Sequence, residues 1–310
     1  MKLISVVTAC YNEQENVEEL HRRVRAVFAE LPQYSFEHIF IDNASTDATP
    51  AALRRLAAAH REVKVIFNAR NFGHIRSPFH GLMQARGDAA ISLVADLQDP
   101  PAMINDFLAK WEEGYKIVVG VKKSSAEPGL MFLVRKAYYG LISRLSDVKQ
   151  IKNFTGFGLY DRRVVDELRR INDPYPYFRG LIAEIGFEAA QIEYQQPARG
   201  GGVTKNNFYT LFDMAMLGIT NHSRVPLRLA TFMGFALALL SLLVAAAYLV
   251  YKLMFWYSFS VGMAPLVIGL FFFSSVQLMF VGILGEYIGD ILTQVQRRPL
   301  VVEKERLNFD

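Results

Sequence analysis

With 310 residues, 52% of them hydrophobic and 21% charged, the chain is too long for one small domain and too apolar to be simply soluble. Its net charge of +4 is modest and its basic residues are scattered, which excludes the concentrated cationic face of a nucleic-acid binder. The single cysteine, Cys10, permits no intrachain disulfide and agrees with a reducing compartment.

The first 122 residues alternate short apolar runs with amphipathic stretches. Leu3 to Ala9 predicts a strand, too short and β-branched for a signal peptide, and Tyr11-Asn12-Glu13 stands at its end. Val17 to Leu31 has helical spacing, with Val17, Leu20, Val24, Val27 and Phe28 on one face, and Pro32 ends it. His38 to Ile41 predicts a second strand running into Asp42-Asn43-Ala44-Ser45-Thr46-Asp47, a turn before a helix over 51–60. Val63 to Phe67 is the third strand, followed by Arg70-Asn71-Phe72-Gly73 and a helix over 76–85. Ala89 to Ala95 is the fourth, Ile104 to Glu113 a helix, and Lys116 to Val121 the fifth strand. This alternation with short connections predicts an α/β domain, Rossmann-like, with a mostly parallel sheet covered on both faces.

Beyond Lys123 the strand rhythm stops. Met131 to Arg144 reads as an amphipathic helix carrying Arg135, Asn153 to Asp161 as a glycine- and aromatic-rich turn, and Arg199 to Lys205 as a mobile loop. Phe208 to Ile219 reads as a helix suited to the membrane interface or to packing on the soluble domain. Leu229 to Tyr251 and Val261 to Gly285 then each exceed 20 residues without a formal charge, enough to cross about 30 Å of hydrocarbon. The expected organisation is a domain over 1–207, a juxtamembrane helix over 208–224, a two-helix transmembrane hairpin over 225–290 and a tail over 291–310. Arg224, Arg228, Arg297 and Arg298 flank the hairpin against the single Lys252 in its turn, so domain, tail and both termini are expected on the cytoplasmic side of the membrane.

Each polar cluster falls at the C-terminal end of a predicted strand, and in open α/β sheets ligands bind along that edge. Asp96, Gln98 and Asp99 end the fourth strand before Pro100 and Pro101, which cannot extend it. A carboxylate so placed can hold Mg²⁺ or Mn²⁺ against a diphosphate; it can equally cap the turn and the helix that follows.

Taken together, Thr8 to Glu13, Asp42 to Asp47, Arg70 to Gly73, Ala95 to Pro101, Leu159 to Arg163, Phe178 to Gly180, Arg199 to Lys205 and Val225 to Arg228 come in an order that resembles one family. The chain is similar to the family-2 glycosyltransferases of the GT-A fold, in particular the membrane-anchored polyprenyl-phosphate glycosyltransferases that include bactoprenol glucosyltransferases and dolichol-phosphate mannose synthases. The resemblance implies inverting transfer of a sugar from a nucleotide-sugar donor, UDP-glucose by default, to polyprenyl phosphate at the cytoplasmic face of the membrane. It implies that Thr8, Tyr11, Asn12, Glu13, Asp42, Asn71, Ala95, Asp96 and Gln98 hold the donor, with Asp96 and Gln98 at the metal. Asp96, Asp99 and Arg135 would be catalytic, and Lys122, Arg135, Arg199 and Lys205 would receive the acceptor phosphate. A homo-oligomer, a tetramer in the relatives, is also implied. A different lipid or glycan acceptor, or a catalytically silent nucleotide-sugar-binding membrane protein, remain the alternatives.

The sequence departs from the family pattern at three places. Val94 stands where the first Asp of the Asp-x-Asp pair is usual, Asn43-Ala44 replace Asp-Gly, and Gly156 stands where many relatives carry an Asp proposed as a base. That last loss is tolerable, because a phosphate monoester, with a second pKa of about 6, is already largely ionised near neutral pH. His74 and His80 lack the companions a metal site needs and are not expected to be ligands.

Overall fold

The structure is a computed structural model, and it describes residues 1–123, 151, 154–196, 225–255 and 263–309. Strands β1 (Lys2–Cys10), β2 (Tyr34–Asp42), β3 (Val63–Asn68) and β4 (Ala89–Ser92) form a parallel set in the order β4-β1-β2-β3. Helices α1 (Val17–Ala29), α2 (Thr49–Ala59) and α3 (Gly73–Gln84) connect them. This is the repeated right-handed unit that the alternation in sequence predicts. The side-chain period of two divides the sheet cleanly. Ile4, Val6, Phe40, Val63 and Val65 face α1 and α2, whereas Val7, Ile39, Ile41 and Ile66 face α3.

The sheet does not stop at five strands. After α4 (Ile104–Glu112) and β5 (Ile117–Lys122), strand β6 (Phe154–Asp161) inserts antiparallel between β4 and β5, and β7 (Ala189–Tyr194) lies parallel to β5 at the edge. Helices α5 (Arg162–Ile171) and α6 (Phe178–Glu184) cover the face shared with α3. The stretch expected as a turn over 153–161 is therefore a central strand. Its glycines conceal it: Gly158 lies so close to the Val118 carbonyl of the neighbouring β5 that no side chain fits, and on β5 a Cβ at Gly120 would in turn stand 2.7 Å from the Phe157 ring of β6.

The last strand, β8 (Glu303–Leu307), pairs antiparallel with β3 and closes the eight-stranded order β7-β5-β6-β4-β1-β2-β3-β8. Within the stretch expected as a tail over 291–310, residues up to Gln296 thus continue a helix and Glu303–Leu307 joins the sheet. Its attachment is specific, with the Asn308 amide donating to the carbonyls of Ala57 (2.8 Å) and Val63 (2.9 Å) and Glu305 receiving Arg54 at 2.6 Å.

Between α6-β7 and this tail run two long helices, α7 (Val225–Met254) and α8 (Met263–Gln296). Both are long and apolar enough to cross a membrane, and none of their most apolar windows is buried in the structure. Leu242, Phe235, Phe271 and Leu278 are each more than 60% exposed, so these helices are not core helices of the domain. At its end α8 touches the domain, where Gln294 Nε2 donates to Asp173 Oδ1 at 2.9 Å. Arg297, at φ 45°, then ends the helix and turns the chain toward β8.

Candidate active site

Register puts the predicted polar clusters on one edge. Cys10 pairs with Asp42, Asp42 with Phe67, Val7 with Ser92 and Val121 with Phe154, so the loops after β1, β2, β3 and β4 and the start of β6 share the rim.

The β1 and β2 loops are knitted together. Asn12, at φ 57°, donates its backbone N–H to Ser45 Oγ (2.9 Å), and its side-chain oxygen accepts the Thr46 N–H (2.8 Å). The Glu13 N–H donates to Thr49 Oγ1 at 2.9 Å, and Gln14 Oε1 accepts the Ala48 N–H at 2.9 Å. Glu13 Oε2 accepts from the Asn16 amide at 2.6 Å. Asp42 is 2% exposed and its two oxygens receive the Ser45 N–H at 3.3 and 3.2 Å. Burial raises the Asp42 pKa, the Ser45 hydrogen bonds oppose that, and the nearby Asp47 charge adds to it.

Asn43 explains one departure from the family pattern. Its amide donates to Asn71 Oδ1 (2.9 Å) and to the Gly73 carbonyl (3.1 Å), and its oxygen accepts from Phe72 N–H (2.9 Å) and Asn68 Nδ2 (3.1 Å). A carboxylate could do only the accepting half. Asn71 is consequently an exposed member of this scaffold, its oxygen also receiving the Gly73 N–H at 2.8 Å.

On the other side, β4 ends at Ser92 rather than at Ala95; Leu93 donates once more to the Val7 carbonyl (3.0 Å) before the chain leaves the ladder. The turn passes Leu97 at φ 61°, with the Gln98 N–H donating to Asp96 Oδ1 at 3.1 Å. Asp96 and Gln98 are half-buried at the rim, and Ala95 is buried. Val94 is 44% exposed, so hydrocarbon faces solvent beside Asp96 at this turn. Asp99 lies beneath the rim, 2% exposed, taking the Tyr194 hydroxyl at 2.7 Å and the Val94 N–H. Burial pushes its pKa up to about 6, against the Tyr194 hydrogen bond and the Lys122 charge. Asp99, expected at the catalytic edge, is thus buried beneath the turn and bonded to Tyr194.

Thr8 is the other expected contact that the fold withdraws. It is fully buried, and its hydroxyl meets His38 Nε2 at 3.1 Å on the α1–α2 face of the sheet. Lys122 ends β5 beside Asp99, whereas Arg135, Arg199 and Lys205 lie outside the described residues. Gly156 has φ 103°, a backbone conformation in which an Asp would be strained. His80 is paired with Glu303 of the tail at 2.5 Å. Sequence reading missed Ser45, Thr46, Thr49 and Tyr194; a turn rich in Ser and Thr hints at the first three, but nothing in the spacing points to Tyr194.

The model for glycosyl transferase family 2 matches residues 5–169, and the β1, β2 and β4 loops of the rim fall within that match. The chain belongs to glycosyl transferase family 2. It is therefore a glycosyltransferase with the GT-A fold of that family. The chain is 33% identical over 305 residues to the bactoprenol glucosyl transferase of Shigella phage SfII, covering 97% of each protein. It is equally 33% identical to the Synechocystis sp. protein named uncharacterized glycosyltransferase sll0501, over 96% of this chain and 93% of that one. A solved structure of glucosyl-3-phosphoglycerate synthase from Mycobacterium tuberculosis, in complex with Mn²⁺, UDP and glucosyl-3-phosphoglycerate, is 18% identical with a TM-score of 0.45, covering 71% of this chain and 78% of the other.

Proposed function

We propose that this family-2 enzyme transfers a hexose, glucose by default, with inversion from a uridine diphosphate sugar to polyprenyl phosphate at the cytoplasmic face of a membrane. The observation that carries this reading is the similarity to a bactoprenol glucosyl transferase over 97% of both chains, the two apolar helices included. In this reading the knitted β1–β2 loops hold the nucleoside, with Tyr11, Glu13 and Asp42 facing it, and the β4 turn receives the diphosphate.

The donor set at the β4 turn is all oxygen, the Asp96 carboxylate and the Gln98 amide carbonyl, and such a set suits a hard cation such as Mg²⁺ or Mn²⁺. One carboxylate suffices where substrate phosphates and water complete the shell. When bound, the ion would neutralise charge on the departing diphosphate. The protein's own part is to fix that turn, through Asp99, Tyr194 and the Val94 N–H, and to present cations to the acceptor phosphate. Lys122 is the described member of that set; Arg135, Arg199 and Lys205 complete it in this proposal. The acceptor attacks as a phosphate oxyanion, which needs no base from the protein, and a single displacement inverts the anomeric carbon. The exposed α7–α8 hairpin would keep the rim near the lipid headgroups, where the acceptor is.

The test is transfer from a panel of labelled nucleotide sugars to polyprenyl phosphate by the full-length protein in detergent, with Mg²⁺, with Mn²⁺ and with chelator. Lipid-linked label from one donor is expected, lost with chelator. A donor that binds without turnover, as the exposed Val94 would allow, overturns the proposal in favour of a silent binding protein.

A further inference from the structure

Away from the rim, three side chains converge on the α1–α2 face of the sheet. His21 sits in the second turn of α1, His60 follows the last residue of α2, and Glu62 precedes β3. One ligand atom from each lies within 4.8 Å of the other two. His21 is 2% exposed, and its Nε2 is buried with no hydrogen-bond partner. A polar atom left so costs about 1–3 kcal/mol unless something satisfies it. The His21 and His60 rings stand 5.0 Å apart between centroids, and His60 Nδ1 is 3.7 Å from Glu62 Oε1.

From this convergence we propose that His21, His60 and Glu62 form a second metal site, one for a borderline transition ion of the Zn²⁺ class, distinct from the oxygen site at the rim. Two imidazoles and one carboxylate, with a fourth position open to water, are a ligand set that Zn²⁺ takes and Mg²⁺ does not. In a tetrahedral site with bonds of about 2.0–2.1 Å the ligand atoms stand about 3.3 Å apart, so the cluster must contract. The contraction falls to His60 and Glu62, whose side chains are 25% and 28% exposed, while His21 is held by the core.

The outer contacts orient His21 for this task. Its Nδ1 lies 3.2 Å from Nδ1 of the buried His38, whose Nε2 is 3.1 Å from Thr8 Oγ1. With a proton on His21 Nδ1 and another on His38 Nε2, each donates to the next group and the buried, unpartnered His21 Nε2 keeps its lone pair for a metal ion. Arg25 faces the same cluster, its Nη1 3.5 Å from His60 Nδ1. A metal ion would displace it, and Arg25 opposes binding by its charge.

The test uses the full-length protein in detergent, stripped with chelator and titrated with Co²⁺, whose visible absorption reports tetrahedral nitrogen and oxygen ligation, then with Zn²⁺ in competition. One equivalent of Co²⁺ displaced by Zn²⁺ is expected, with the same binding in Asp96→Asn, because the rim is not involved. His60→Gln and Glu62→Gln, both at partly exposed positions, should each weaken binding by about tenfold or more. Arg25→Gln should tighten it, and Zn²⁺ should raise the melting temperature of the unmodified protein but not of the His60→Gln, Glu62→Gln double variant. Absence of stoichiometric absorption in the unmodified protein, or binding that survives in the double variant, overturns the site. Neither result bears on sugar transfer, which the Asp96 variant tests separately.

Discussion

The two halves of the rim are fastened in different ways. The half from Tyr11 to Gly73 is locked mainly by Asn, Ser and Thr side chains bonded to backbone groups, with Asn43 at the hub and the buried Asp42 carboxylate accepting from Ser45. The half from Val94 to Asp99 is a turn with a left-handed Leu97, fastened from below by the buried Asp99–Tyr194 pair. The β4 turn carries the Asp96 charge above the buried Asp99, and the stability of that turn depends on pH.

The largest effect should come from removing that charge. Asp96→Asn keeps the acceptor for the Gln98 N–H, so its melting temperature should stay within about a degree, while sugar transfer falls by about a hundredfold or more. A variant with substantial activity would show that the β4 turn does not carry the diphosphate.

Next comes the fastening. Because burial raises the Asp99 carboxyl to about 6, above the ordinary value near 3.9, the folded protein holds this proton more tightly than the unfolded chain. The contribution of Asp99 is most favourable below about pH 4 and is lost as pH rises toward about 6. Asp99→Asn should therefore flatten the stability profile between those values and raise stability at pH 7 by about 1–3 kcal/mol, read by denaturant unfolding of the detergent-solubilised protein. Tyr194→Phe removes the hydroxyl that favours the ionised form and should move the same transition upward.

In the half from Tyr11 to Gly73, Asn43→Asp would turn two donors into acceptors facing Asn71 Oδ1 and the Gly73 carbonyl. A loss of about 1–3 kcal/mol is expected, together with a weaker KM for the donor and a smaller change in kcat. The smallest effect belongs to the outer edge of that half, where Arg54→Ala breaks an exposed pair with Glu305 and should cost under about 1 kcal/mol by the same unfolding measurement.

The parallel half of the sheet was legible because its strands follow one another in sequence and each ends in the polar residues it delivers; Asp42 and Asp96 could be placed from spacing alone. The rest was hidden for identifiable reasons. The β6 strand looks like a turn because its close approach to Val118 requires Gly158. The charged β8 strand, Glu-Lys-Glu-Arg-Leu, has no apolar run, since as an edge strand it keeps its charges at the surface. Thr8 and Asp99 read as site residues by position in their motifs, and only burial shows that one faces the helices and the other supports the turn.

What the sequence determined by itself is the order of strands and helices through β5, the edge on which ligands gather, the two apolar spans and the family. These are local properties, written in hydrophobic period, turn residues and motif order. The tertiary structure decided which residues share that edge and which lie beneath it, that Asn43 is a hub and Tyr194 a support, that the tail completes the sheet, and that His21, His60 and Glu62 meet. Each of these is a contact between residues distant in the chain, and no local pattern encodes the partner.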